Sequence, residues 1–125
     1  MRMIGYLNGI VLGTLGVGMV LATVLVVPTA SAADAGKGKE IYAKSCTGCH
    51  GPEGKGDGAA AKAMNPKPTN LADKASMSKL DDAALTKAIV KGGVGIGKSP
   101  LMPAFSQLKD QEVKDVIAYI RSLSK

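Results

Sequence analysis

The chain has 125 residues, a length that suits one domain, with a net charge of +6, two Cys, one His, one Phe and no Trp. Two cysteines exclude a disulfide framework. So few large side chains leave a small domain short of material for a core, and such domains add a staple, so some other group must fill the interior.

Residues 1–32 read as a secretory signal peptide. Arg2 gives a short positive start, residues 10–27 form the uncharged run IVLGTLGVGMVLATVLVV, and Ala30-Ser31-Ala32 supplies small residues for a cut after Ala32. The run is long for a signal, so an uncleaved membrane anchor is the alternative. Either way residues 33–125 are delivered across a membrane, to the periplasm in this reading. They carry 15 Lys and Arg against 10 Asp and Glu. Lysines scattered in this way serve solubility or form a docking face for acidic partners. Nucleic acid is excluded as a partner by export and by the lack of interleaved aromatics.

No segment alternates apolar and polar residues beyond the leader, so no strand is expected. The first helix is predicted over about residues 35–46, with Ile41 and Tyr42 on its apolar side. Gly38 lies four residues before Tyr42 on the same face, where a helix-weakening residue marks a close approach by another backbone. GPEGKGDG at 51–58 is a loop, residues 59–64 suit a short helix, and residues 65–69 with Pro66 and Pro68 are extended. A second full helix is predicted over about residues 79–91, with Ser78 and Asp81 as a capping box and Gly92 as its stop. Residues 93–97 follow as a flexible glycine loop. The last helix spans about residues 110–123, where Val113, Val116, Ile117, Ile120 and Leu123 make one stripe.

Cys46-Thr47-Gly48-Cys49-His50 matches the C-x-x-C-H pattern of covalent haem attachment. Two thiols separated by two residues in a turn reach the two vinyl groups of one porphyrin, and the next residue, His50, supplies an axial nitrogen to the iron. Other chemistries fit less well. A thioredoxin-like dithiol needs a βαβ setting, and structural zinc needs four ligands. A Cys46–Cys49 disulfide would close a tiny loop, and a cysteine nucleophile needs a second His.

The sixth iron ligand decides between carrier and enzyme. With no second His, the sulfurs of Met64, Met77 and Met102 are the choices. Met102 stands between Pro100 and Pro103, which hold it outside any helical stripe, and is the expected axial ligand. Met64 and Met77 read as surface or filler positions.

Taken together, Gly38 and Tyr42, CTGCHG at 46–51, GKGDG at 54–58, NPKPTNL at 65–71, SPLMPAF at 99–105 and VIAYIRSL at 116–123 make the chain resemble a class I c-type cytochrome of the small bacterial, single-haem kind. The resemblance covers nearly all of residues 35–124. It implies an all-α class I cytochrome c fold, with about three main helices and a short one wrapped around one haem c. The first and last helices would cross at a near-right angle, with Gly38 and Tyr42 against Val116, Tyr119 and Ile120. Two departures stand out. Ala59 replaces the Pro that follows the GDG loop in many relatives, which leaves unassigned the carbonyl that holds the ligand His ring. Lys109-Asp110 replaces a Ser cap, leaving Asp110 as the candidate cap.

The implied function is a monomeric periplasmic electron carrier of a respiratory chain, without enzymatic activity. Its iron would cycle between Fe(II) and Fe(III) under His50/Met102 ligation, and redox proteins with acidic docking faces would be its partners. The rival readings are a membrane-anchored haem c subunit of a larger oxidoreductase complex, and a haem enzyme or sensor with an open iron site.

Overall fold

The computed structural model describes Val27 and residues 30–125; the expected signal peptide lies almost wholly outside these residues. The described residues form five α-helices and two 3₁₀ turns, with no strand among them. The all-α expectation therefore holds.

Helix α1 (Ala35–Ser45) starts where Asp34 accepts hydrogen bonds from the Gly36 and Lys37 backbone N–H groups, at 2.9 and 3.2 Å. This cap satisfies two of the donors that every helix start leaves orphaned. Helix α5 (Asp110–Leu123) packs directly against α1, burying Val113, Val116, Ile117 and Ile120 of the expected stripe. A Cβ on Gly38 would stand 1.9 Å from the Asp115 carbonyl oxygen, so only glycine admits this backbone approach. The Tyr42 and Tyr119 rings meet edge to face with centroids 5.2 Å apart.

Helix α5 begins at Asp110, but Asp110 is not its cap. The Glu112 carboxylate instead accepts from the Lys109 N–H at 2.8 Å, reaching back from the third helical position.

The helix expected over 79–91 starts at Asp82, and a separate single turn precedes it. A single-turn helix, α3 (Lys74–Met77), is capped by Asp73, and α4 (Asp82–Lys91) is capped by Asp81, which accepts from Ala84 N–H at 2.7 Å. Asp81 is thus the cap itself and not the far member of a box begun by Ser78, whose hydroxyl donates to the Ala75 carbonyl. Arg121 of α5 holds this corner, donating to the Met77 and Leu80 carbonyls at 3.1 and 2.5 Å and to Asp82. Met77, expected at the surface or as filler, is 1% exposed and lies in the core with Tyr42 and Val116.

After α4, residues 93–97 are ordered. Gly93–Ile96 is a 3₁₀ turn, Gly97 adopts a left-handed φ of 68°, and the Lys98 N–H donates to the Gly93 carbonyl at 2.8 Å. Residues 99–102 form a turn, closed by Met102 N–H on the Ser99 carbonyl at 3.5 Å. No helix among the described residues is long and apolar enough to cross a membrane.

Candidate haem site

The motif lies at a sharp break in the chain. Helix α1 stops at Ser45, and the motif continues into one turn, α2 (Thr47–His50). The glycine loop then folds back beneath it. Gly56 N–H donates to the His50 carbonyl at 2.8 Å and Gly58 N–H to the Cys49 carbonyl at 3.1 Å. Gly56 has φ 76°, and a side chain there would strike the Pro68 carbonyl. The Tyr42 hydroxyl, buried between the helices, donates to the Gly51 carbonyl at 2.8 Å. Burial is the main reason its pKa is raised, and it stays a donor.

His50 is held from behind. Its Nδ1 lies 3.0 Å from the Thr69 carbonyl oxygen. A carbonyl only accepts, so Nδ1 carries the proton and Nε2 is the free lone pair. Burial lowers the pKa of the ring, partly offset by the Thr69 bond, which favours the neutral form that binds metals. Thr69 thus supplies the carbonyl that the sequence left unassigned. Nothing in its side chain could have announced the role, because a backbone oxygen does the work. The segment is set by Leu71 N–H on the Gly54 carbonyl at 2.6 Å.

Beside the motif opens a cleft of about 280 Å³, into which Cys46, His50 and Met102 all face. Its walls are Ile41, Leu85, Ile89, Phe105, Val116 and Ile120 among others, drawn from α1, α4, α5 and the chain before α5. A smaller hollow of about 70 Å³ adjoins it, lined by Cys46, Cys49, His50, Met64, Met102 and Phe105. The fold therefore gathers all four expected site residues. Of the other two sulfurs, Met77 is absent from both linings, whereas Met64 lines both. Met102 is positioned through its backbone: Gly93 N–H donates to its carbonyl at 3.1 Å, and Phe105 N–H ties the segment to the Ile89 carbonyl of α4 at 2.8 Å.

Cys46 and Cys49 are free thiols. Burial, with a smaller contribution from Cys49, pushes the Cys46 pKa up to about 11. Thiol redox centres have depressed pKa values, and Cys46 is shifted the other way. The described residues hold no group of three or more His, Cys, Asp or Glu arranged for a bare metal ion. An apolar slot with two unpaired thiols, an oriented imidazole and thioether sulfur at its edges suits a flat, apolar, vinyl-bearing iron macrocycle.

The family model described as Cytochrome c matches residues 35–124. Cytochrome c-554(547) of Halothiobacillus neapolitanus is 32% identical over 93 residues, covering 74% of this chain and 99% of that protein. The cbb3-type cytochrome c oxidase subunit FixP of Bradyrhizobium diazoefficiens is 34% identical over 97 residues, covering 77% of this chain. The chain spans only about 30% of the length of FixP. Among solved structures, the KustC0563 c-type cytochrome superposes with a TM-score of 0.57 at 24% identity over 70% of this chain and 98% of that one, a likeness of fold. The chain belongs to the cytochrome c family. Its cofactor is covalently bound haem c.

Proposed function

We propose that Cys46 and Cys49 would hold the haem through two thioethers, that His50 and Met102 would bind its iron, and that the chain is a soluble single-electron carrier of the periplasm. The observation that carries this reading is the bond from His50 Nδ1–H to the Thr69 carbonyl. It fixes the tautomer and leaves Nε2 as a donor in the cleft that also receives Met102. When bound, the haem supplies a one-electron Fe(II)/Fe(III) couple, and His/Met ligation raises its potential.

The chain's own residues do the rest. Leu85, Ile89, Phe105, Val116 and Ile120 exclude water from the cleft, which favours a small change of structure between oxidation states. Thr69 keeps the His50 ring from turning. Met102 is preferred over Met64 because Met64 belongs to the stretch that leads into Thr69, behind the imidazole. Met102 comes from a separate wall fastened to α4. The lysines of residues 33–125 steer acidic redox partners, and no residue is assigned a catalytic role.

The likeness to FixP favours a second reading, a membrane-anchored haem c subunit of a larger oxidoreductase complex. In the carrier reading residues 1–32 are a cleaved signal and the mature protein starts at Ala33. Intact mass of the native protein separates the two. The carrier predicts the mass of residues 33–125 plus one haem, in the soluble fraction. A membrane-bound species retaining the leader supports the subunit.

A further inference from the structure

Asp115 is the one buried charged side chain among the described residues, and no cation among them lies within ion-pair distance of it. Its hydrogen bonds, from the Asp34 N–H at 2.8 Å and from Gln111 Nε2 at 2.9 Å, both fall on Oδ1; among the described residues none falls on Oδ2. A carboxylate taken out of water with one oxygen unmet and no counter-charge is costly. Beside it runs the stretch Ala32–Asp34. Gln111 Nε2 also donates to the Ala32 carbonyl at 3.3 Å, and residues 30–34 are exposed. The Ala33 nitrogen lies between these two anchors. One residue spans at most about 3.6 Å, which puts that nitrogen within about 6.5 Å of Oδ1.

We propose that Asp115 is the socket for the amino terminus of the mature chain: a cut between Ala32 and Ala33 makes the Ala33 nitrogen an ammonium group, which pairs with the Asp115 carboxylate and ties the start of α1 to α5. The proposal rests on the reading that the leader is removed after Ala32. The cut is a hydrolysis by a signal peptidase. The oxygen of one water goes to Ala32, which leaves as a carboxylate, and both its hydrogens go to the Ala33 nitrogen. Before the cut that nitrogen is a neutral amide. After it, an ammonium group stands near the positive end of the α1 dipole, which is unfavourable without a counter-charge. The Asp34 carboxylate is already engaged by the Gly36 and Lys37 N–H groups. The counter-charge therefore comes from across the interface, from α5. Lys37 is the other cation that acts on Asp115, from beyond ion-pair distance. Asp115 also stands where the backbones of α1 and α5 meet at Gly38. The pair thus completes the α1–α5 contact only in the exported, processed chain.

The test uses the mature haem protein, a form with one glycine inserted between Ala32 and Ala33, and both again with Asp115→Asn. The insertion keeps the small residues before the cut and moves the ammonium group one residue outward. Intact mass gives the first residue of each. The readouts are the pH titration of the Ala33 methyl signal in proton NMR of the ferrous protein, and the thermal midpoint against pH. The amino group should titrate above the ordinary α-amino range of about 7.7–8.0, and within or below that range in Asp115→Asn. A raised folded-state pKa contributes stability that is present at pH 7 and lost as pH rises through the folded value. The inserted glycine should therefore lower the midpoint by a few degrees at pH 7 and by less at pH 10, and should leave Asp115→Asn unchanged. If Asp115→Asn does not fold, the titration of the unaltered protein and the pH dependence of the insertion decide alone. An ordinary titration, with an effect of the glycine that ignores pH and Asp115, would overturn the proposal and leave the cut standing. A native protein that does not begin at Ala33 would overturn the cut itself, and the proposal with it.

Discussion

Gly38 of α1 and Asp115 of α5 touch through their backbones, with the Asp115 carbonyl oxygen occupying the space that a Cβ on residue 38 would need. Nothing at this point can yield, because the obstruction is helix backbone and not the end of a flexible side chain. Gly38→Ala would gain helix propensity, worth up to about 1 kcal/mol, but would force α1 and α5 apart. Overpacking of this kind costs about 1–3 kcal/mol, and the separation would loosen Tyr42, Val116 and Ile120 together. The denaturation midpoint of the haem protein should fall at unchanged m-value. An unchanged or higher midpoint would mean the helices have slack here.

The Asp115 carboxylate carries a pH signature. It accepts from the Asp34 backbone N–H at 2.8 Å and from Gln111 Nε2 at 2.9 Å. The Asp34 bond is the first cause, and the Gln111 bond the second, of a carboxyl pKa held below its usual value. A depressed folded-state pKa contributes stability above the unfolded value, near pH 4, and that contribution is lost as pH falls through the folded value. Asp115→Asn should therefore melt below wild type at pH 7, and the gap should narrow at pH 3. A gap that stays constant with pH would assign the loss to packing rather than charge.

Removing both attachment points should remove the fold as well as the cofactor. Leu85, Ile89, Val116 and Ile120 line the cleft and also belong to the buried core, so without haem the core has a hole at its centre. A chain with few aromatics has nothing to close it. The double variant Cys46→Ala, Cys49→Ala should yield a chain with little cooperative melting by circular dichroism. In the wild type, acid–acetone should extract no haem. A sharp melt in the double variant would place the stability elsewhere.

Most of this arrangement was legible along the chain, for reasons that differ between residues. The α5 stripe and the Gly38 approach follow from helical periodicity and from the absence of a side chain. CTGCH carries its chemistry in its spacing. The misplaced features depend on tertiary context. Asp81 fits a sequence pattern as either cap or box member, and the turn α3 that precedes it decides which. Met77 reads as surface or filler among its small and polar sequence neighbours, and it is Arg121, 44 residues away, that decides for the interior by holding the Met77 carbonyl and the corner that buries it. Thr69 acts through a backbone oxygen, which has no sequence signature.

Proton NMR of the ferrous haem protein decides whether Met102 supplies the second ligand to the iron that His50 would bind. A methionine bound to low-spin haem iron shows its methyl resonance strongly upfield, and the ferric form shows a weak far-red charge-transfer band. Met64, the other sulfur at the cleft, supplies the control. Met102→Ala should abolish both signals, lower the potential and open the iron to carbon monoxide, while Met64→Ala should keep both signals. Retention of the upfield methyl in Met102→Ala with its loss in Met64→Ala would move the ligand to the other wall. Ready carbon monoxide binding by the wild-type ferrous protein at neutral pH would contradict the closed iron on which the carrier function rests.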